Sequence, residues 1–192
     1  MIGRNFMGNT KTVNILFIED DPSYADLVRR IFQEDKSCCN LTVVGGIQEA
    51  KSHLDHMHPD LIIADLRLPD GKGTELLYDK RVKGQIPVVI ITGLGSEEDA
   101  VEAMKAGALD YVIKTQENSM YLPHLARRTL REWDNRTRHR LTKAMLEKTN
   151  DQLEYKVRLH TAKLENENIK LRGEIEELKQ TVKELKRKTA IK

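Results

Sequence analysis

Glu19 and Asp20, Asp65, Thr92 and Lys114 each stand at the end of a short, largely apolar stretch of the chain, at residues 13–18, 61–64, 87–91 and 110–113. Three carboxylates gathered in one crevice repel one another and call for a cation. Their all-oxygen character and high charge suit Mg²⁺ better than zinc. A carboxylate beside a bound cation, a hydroxyl and an ammonium has what acyl-phosphate formation requires. The nucleophile is the carboxylate, the metal neutralises the incoming phosphoryl, and Thr92 and Lys114 offer its oxygens a hydrogen bond and a positive charge. Any one of these residues alone reads as a solvated loop group; the whole set at matching run ends does not.

The elements that must position them alternate. The apolar run at 13–18 ends in Glu19-Asp20-Asp21, and Asp21-Pro22 has the order of a helix N-cap and first helical residue. Leu27, Val28, Ile31 and Phe32 then recur at helical spacing. A strand is expected near 41–44 and a helix over 47–57. Next come the buried run 61–64, the loop 65–73 and a helix over 74–82. The run 87–91 leads through Gly93 and Gly95 into a helix beginning at Ser96, and 110–113 forms the last strand. Unbroken apolar runs of this length indicate strands covered on both faces, as in a parallel sheet. Five strands alternating with helices predict a doubly wound α/β domain with a five-stranded parallel sheet. Such sheets bind ligands at the carboxyl ends of their strands.

Net charge hides a division of the chain. Lys+Arg 32 against Asp+Glu 30 gives +2, yet residues 1–120 hold 13 basic and 19 acidic side chains, and the remainder holds 19 and 11. All five prolines lie at or before Pro123, and ten of the eleven glycines at or before Gly107. This predicts one compact domain followed by a long helical segment. No apolar run approaches the ~20 residues of a membrane span, and the first residues lack the apolar stretch of a signal peptide. Adjacent Cys38 and Cys39 cannot staple a domain, which suits a reducing cytoplasm.

The sequence resembles the receiver domain of two-component response regulators over residues 12–120. The resemblance is carried by Ile15-Leu-Phe-Ile-Glu-Asp-Asp-Pro22, Pro59-Asp-Leu-Ile-Ile-Ala-Asp-Leu-Arg-Leu-Pro-Asp-Gly-Lys-Gly73, Pro87-Val-Val-Ile-Ile-Thr-Gly93 and Ala106-Gly-Ala-Leu-Asp-Tyr-Val-Ile-Lys114. It implies a flavodoxin-like fold with Asp65 as phosphoacceptor, supplied by a sensor histidine kinase or phosphotransfer protein. Glu19, Asp20, Asp65 and the backbone carbonyl of Arg67 would hold Mg²⁺. Thr92 would reorient toward the phosphoryl group, Lys114 would pair with it, and Tyr111 would swing inward as Thr92 moves. Small Gly93 leaves room for the phosphoryl group. By the same resemblance the domain is a phosphoacceptor that assists its own phosphoryl transfer, with no separate output enzyme in the chain. Thr115 stands where the family usually has a proline after a cis peptide. A non-proline cis bond costs ~3 kcal/mol, so a trans bond or an altered loop is expected there.

Beyond residue 120 the pattern becomes that of a coiled coil. Leu164, Leu171, Leu178 and Leu185 fall seven apart at one core position, with Asn168, Ile175, Val182 and Thr189 at the other. Leucine at d with β-branched residues at a favours a parallel two-stranded coil, and a single Asn at a sets register. Glu167 and Glu174 face Arg172 and Lys179 of the partner strand. Leu146, Asn150, Leu153, Val157 and His160 continue the rhythm in a shifted frame, a four-residue stutter. The organisation expected is a disordered segment at 1–11, the receiver at 12–120, a basic exit helix at 121–140 with Pro123 in its first turn, and a homodimeric coiled coil at 141–192. The alternatives are a non-phosphorylated dimerising scaffold, a fragment of a longer signalling protein, and DNA binding. The last would use Arg127, Arg128, Arg131, Arg136, Arg138 and Arg140, a basic stretch preceding a zipper. Leu125, Leu130 and Trp133, set among these arginines, suggest instead that part of the stretch packs on the domain. His53, His56 and His58 cluster without a matching cysteine or carboxylate set and read as solvated.

Overall fold

The computed structural model describes residues 12–35 and 39–189, with side chains through residue 183. Residues 1–11, Cys38 and the side chains of Leu185 and Thr189 lie outside the described residues. The chain divides into two compact units, Met1–Arg138 and His139–Lys192.

In chain order the first unit runs β1 Val13–Ile18, α1 Pro22–Glu34, β2 Cys39–Val44, α2 Ile47–His56 and β3 Leu61–Asp65. A two-stranded antiparallel ribbon follows, β4 Arg67–Leu68 with β5 Gly71–Lys72, and then a 3₁₀ turn, Gly73–Tyr78. The unit is completed by β6 Val88–Thr92, α3 Glu97–Ala106, β7 Asp110–Ile113 and the start of α4, which spans Gln116–Thr189. The five main strands order as β2-β1-β3-β6-β7, every pair parallel. This is the doubly wound arrangement the apolar runs predict. The chain reverses direction across the sheet beside β1, so the crevice of such folds opens over the carboxyl ends of β1 and β3.

Period-two alternation sorts the strands onto two cores. Leu16, Ile18, Ile62, Ala64, Val88 and Ile90 face α2, the 3₁₀ turn and α3. Ile15, Phe17, Leu61, Ile63, Val89 and Ile91 face α1 and the first turns of α4 through Val28, Phe32, Leu122, Leu125, Ala126 and Leu130.

Two local expectations are corrected. Residues 74–82 form no α-helix. Asp79 accepts from the amide and guanidinium of its own neighbour Arg81, both at 2.9 Å. This side-chain closure competes with helix continuation, and the segment stops as a 3₁₀ turn. The last helix begins at Gln116, ahead of Tyr121, because Thr115 caps it: Asn118 N donates to Thr115 Oγ1 at 3.1 Å. Pro123 therefore lies inside the helix and withholds one hydrogen bond from it. Burial of Leu122, Leu125 and Ala126 around it offsets that loss.

Candidate functional site

Parallel strands deliver their last residues to one edge, and the structure brings four of the five chemical candidates together there around Lys114. Its ammonium donates to Asp65 Oδ2 at 2.6 Å and lies 2.6 Å from Glu19 Oε2. The latter is a close ion pair that lacks hydrogen-bond alignment. Glu19 Oε1 accepts from Asp21 N at 3.3 Å. Lys114 is fixed from behind by its own amide, which donates to Thr92 O at 2.7 Å. Every described peptide bond is trans, Lys114–Thr115 among them.

Burial pushes the Glu19 carboxyl up, against the pull of Lys114. For Lys114 the penalty of burial is outweighed by its bonds to Asp65 and Glu19, which hold the ammonium in its charged form. Oxygens of Glu19, Asp20 and Asp65 lie within 4.8 Å of one another. One ammonium among three carboxylates leaves negative charge uncompensated at a site where Glu19 is 3% exposed. An all-oxygen donor set with unneutralised charge fits a hard divalent cation such as Mg²⁺. Among the described residues this is the one such cluster; His53, His56 and His58 form none.

Thr92, at the end of β6, is buried. Tyr111 of β7 is partly buried beside it, and its hydroxyl sits under Gly95. A β-carbon at position 95 would lie 2.2 Å from that oxygen and 2.7 Å from Thr92 Cγ2. Burial pushes the Tyr111 phenol up from its ordinary value. Gly95→Ala is therefore expected to expel the ring toward solvent. Its phenol should then ionise at lower pH, nearer 10, in a spectrophotometric titration. An unchanged tyrosine titration would refute this account of Gly95.

The loop from Asp65 to Gly73 carries two further devices. Arg67 N donates to Asp65 Oδ1 at 3.3 Å, orienting the carboxylate from within its own loop. Asp70 caps a neighbouring helix: Ile47 N and Gln48 N each donate to it at 2.9 Å. Those two amides hold the Asp70 carboxyl below its usual range. Gly46 stands at the N-cap of α2 and has no side chain to do this. The exchange ties the loop to α2, and no signal in the local sequence of either segment announces it.

The arginine stretch is largely committed to carboxylates. Arg127 pairs with Asp35, Arg128 with Asp110, Arg136 with Glu132 and Arg138 with Asp134. Leu125 and Leu130 are buried and Trp133 is partly buried. Charges already paired and a helix face already packed speak against a DNA-reading face. In the second unit Leu146, Leu153, Val157, Leu164, Leu171, Ile175, Leu178 and Val182 are all exposed along α4. No helix among the described residues is long and apolar enough to cross a membrane.

Residues 15–124 match the response regulator receiver domain family. The chain is 35% identical over 124 residues to the methanogenesis regulatory protein FilR1 of Methanothrix harundinacea, covering 62% of this chain and 28% of that protein. It is 39% identical over 98 residues to the regulatory protein LuxO of Vibrio cholerae, covering 50% of this chain and 21% of that one. The chain thus spans well under half the length of these relatives. Among solved structures, the signal receiver domain of a LuxO repressor protein from Vibrio parahaemolyticus superposes with TM-score 0.59 at 26% identity. The superposition covers 66% of this chain and 96% of that one.

Proposed function

The chain belongs to the response regulator receiver domain family, and from that membership we propose that it is a phosphorylation switch relayed through a dimeric coiled coil. It is a receiver of two-component signalling; the finer reading is that Asp65 accepts the phosphoryl group and α4 relays the change. The observation that carries this reading is the Lys114 ammonium, 2.6 Å from an oxygen of both Asp65 and Glu19 at the carboxyl edge of the sheet.

In the proposed reaction a carboxylate oxygen of Asp65 attacks the phosphorus of a phosphohistidine on a sensor kinase or phosphotransfer protein. The new O–P bond forms as the P–N bond breaks, and the departing imidazole nitrogen takes up a proton. Lys114, released from its carboxylate, meets one developing phosphoryl oxygen, and the Thr92 hydroxyl meets another. Mg²⁺ held by Glu19, Asp20, Asp65 and the Arg67 carbonyl would neutralise charge between the carboxylates and the phosphoryl group. As Thr92 turns toward the phosphate it vacates space beside Tyr111, whose ring under Gly95 then holds the altered loop. Dephosphorylation by water at the same site would reset the switch without a separate enzyme.

The relay rests on the single helix Gln116–Thr189, which includes both the buried face of the first unit and the heptad stripe of the second. We assign residues 12–120 to the receiver, 121–140 to the basic exit stretch and 141–189 to a parallel homodimeric coil. The exposed heptad leucines and the facing charges of Glu167 with Arg172 and Glu174 with Lys179 support this. A cytoplasmic location accompanies the reading.

Incubation with Mg²⁺ and a small phosphodonor is expected to add the mass of one phosphate, and Asp65→Asn to abolish the gain. A chain that gains no phosphate, or gains it equally in the variant, overturns the phosphoacceptor reading. In that case a non-phosphorylated scaffold that dimerises through its tail becomes the better account.

A further inference from the structure

Tyr24 lies on the first turn of α1 and plays no part in the chemistry above. Its ring face lies against the active-site ammonium: Lys114 Nζ is 4.6 Å from the ring centroid. Behind it the ring rests on Phe17, centroids 6.3 Å apart, and Phe17 is wholly buried in β1. The Tyr24 hydroxyl is 2.9 Å from Ser119 Oγ. Ser119, 2% exposed, donates its own proton to Thr115 O at 2.7 Å. Because that hydroxyl has one proton to give, Tyr24 is the donor in the first bond. The chain is therefore Tyr24 O–H to Ser119 O–H to the carbonyl of Thr115, the residue next to Lys114. Burial pushes the Tyr24 phenol up, so it remains a neutral donor near physiological pH.

The two ends of one side chain thus grip adjacent residues. The ring takes the ammonium of Lys114, and the hydroxyl takes, through Ser119, the backbone of Thr115. Ser119 also belongs to the first turn of α4, where its amide donates to Thr115 O at 2.9 Å. We propose that Tyr24 is a positioning residue that clamps the Lys114–Thr115 segment and couples the Lys114 ammonium to the first turn of α4 through Ser119. This rests on the phosphoacceptor reading above. Lys114 cannot move toward a phosphoryl oxygen without changing its seat on the ring, and the ring cannot shift without pulling on Ser119. The signal then enters α4 at its start, by a route separate from Tyr111.

The test uses the full chain and four variants. Phosphorylation by a small phosphodonor with Mg²⁺ gives the rate, and amide hydrogen exchange at residues 118–122 with and without beryllofluoride gives the coupling. Tyr24→Leu is expected to slow phosphorylation about three- to thirtyfold, the range a cation–π contact supplies. Tyr24→Phe keeps the ring and should recover most of that loss. Tyr24→Phe and Ser119→Ala should both bind beryllofluoride yet lose the exchange response that the wild type shows, a result that mere destabilisation does not give. The proposal is overturned if Tyr24→Leu is phosphorylated at the wild-type rate, or if Tyr24→Phe and Ser119→Ala keep the full response. Wild type indistinguishable from Asp65→Asn would instead remove the phosphoacceptor reading beneath it.

Discussion

Gly73→Ala is expected to cripple the site more severely than removal of most side chains that point into it. A β-carbon there would stand 2.1 Å from the carbonyl oxygen of Asp65, 3.1 Å from its carbonyl carbon and 3.2 Å from Ala64 Cβ. The obstacle is backbone at the end of a fully buried strand, so no side-chain rotation relieves it. The same close approach is held by Gly73 N donating to Leu66 O at 3.1 Å, while Leu66 N donates to Ile91 O at 2.8 Å. One methyl group therefore prises the loop from β3 or pushes β3 against β6. Overpacking of this kind costs about 1–3 kcal/mol where side chains can adapt, and contact with rigid backbone belongs at or above the top of that range. Displacing a reacting group by ~1 Å costs about a hundredfold in rate. Urea unfolding should show the lost stability, and the phosphorylation rate should fall by at least about tenfold at saturating phosphodonor. Wild-type stability together with a wild-type rate would show that the loop does not need this close approach.

Leu171→Asp combined with Leu178→Asp should convert the proposed dimer to a monomer. Both leucines are more than half exposed in the single chain, at 54% and 64%. A helix with so little buried surface needs a partner to be stable in water. Full burial of a leucine contributes roughly 1.5–3 kcal/mol. Losing two per chain raises the dissociation constant by about a thousandfold or more. Sedimentation would report the change in mass, and far-ultraviolet circular dichroism the accompanying loss of helix. Gln180→Asp, on the outer face of the proposed coil, serves as the control and should leave the dimer intact. A double variant that sediments like the wild type would show that the heptad stripe is not the dimer contact.

The fold was legible where burial is two-sided and periodic. Runs such as Leu61–Ala64 and Val88–Ile91 admit one reading, and the residues after them mark the edge where the sheet gathers ligands. That is why Glu19, Asp20, Asp65, Thr92 and Lys114 stand out in the sequence. The segment 73–78 departs from the helix expected over 74–82 because the side-chain closure by Asp79 has no signature in the apolar pattern. The early start of α4 was missed because Thr115 caps a turn, 116–121, with few apolar residues to advertise it. Tyr24, Asp70, Gly95 and Ser119 were invisible for a different reason. Each has one decisive partner at least 16 positions away, which its own stretch of sequence does not signal. Gly95 was visible only as a loop residue, since the need for an empty β-carbon site arises from where Tyr111 puts its oxygen.

The division of the apolar core by the sheet has an evolutionary consequence. Tyr111 packs against the core shared by α2, the 3₁₀ turn and α3. Tyr24 packs against the other, shared by α1 and α4. The two tyrosines thus sit in separate mutational neighbourhoods, and a substitution that retunes one face need not disturb the other. Under the proposed switch, a lineage could exchange the partners that recognise one face while keeping the proposed relay through the tail, so that one switching event acquires a second audience without losing the first.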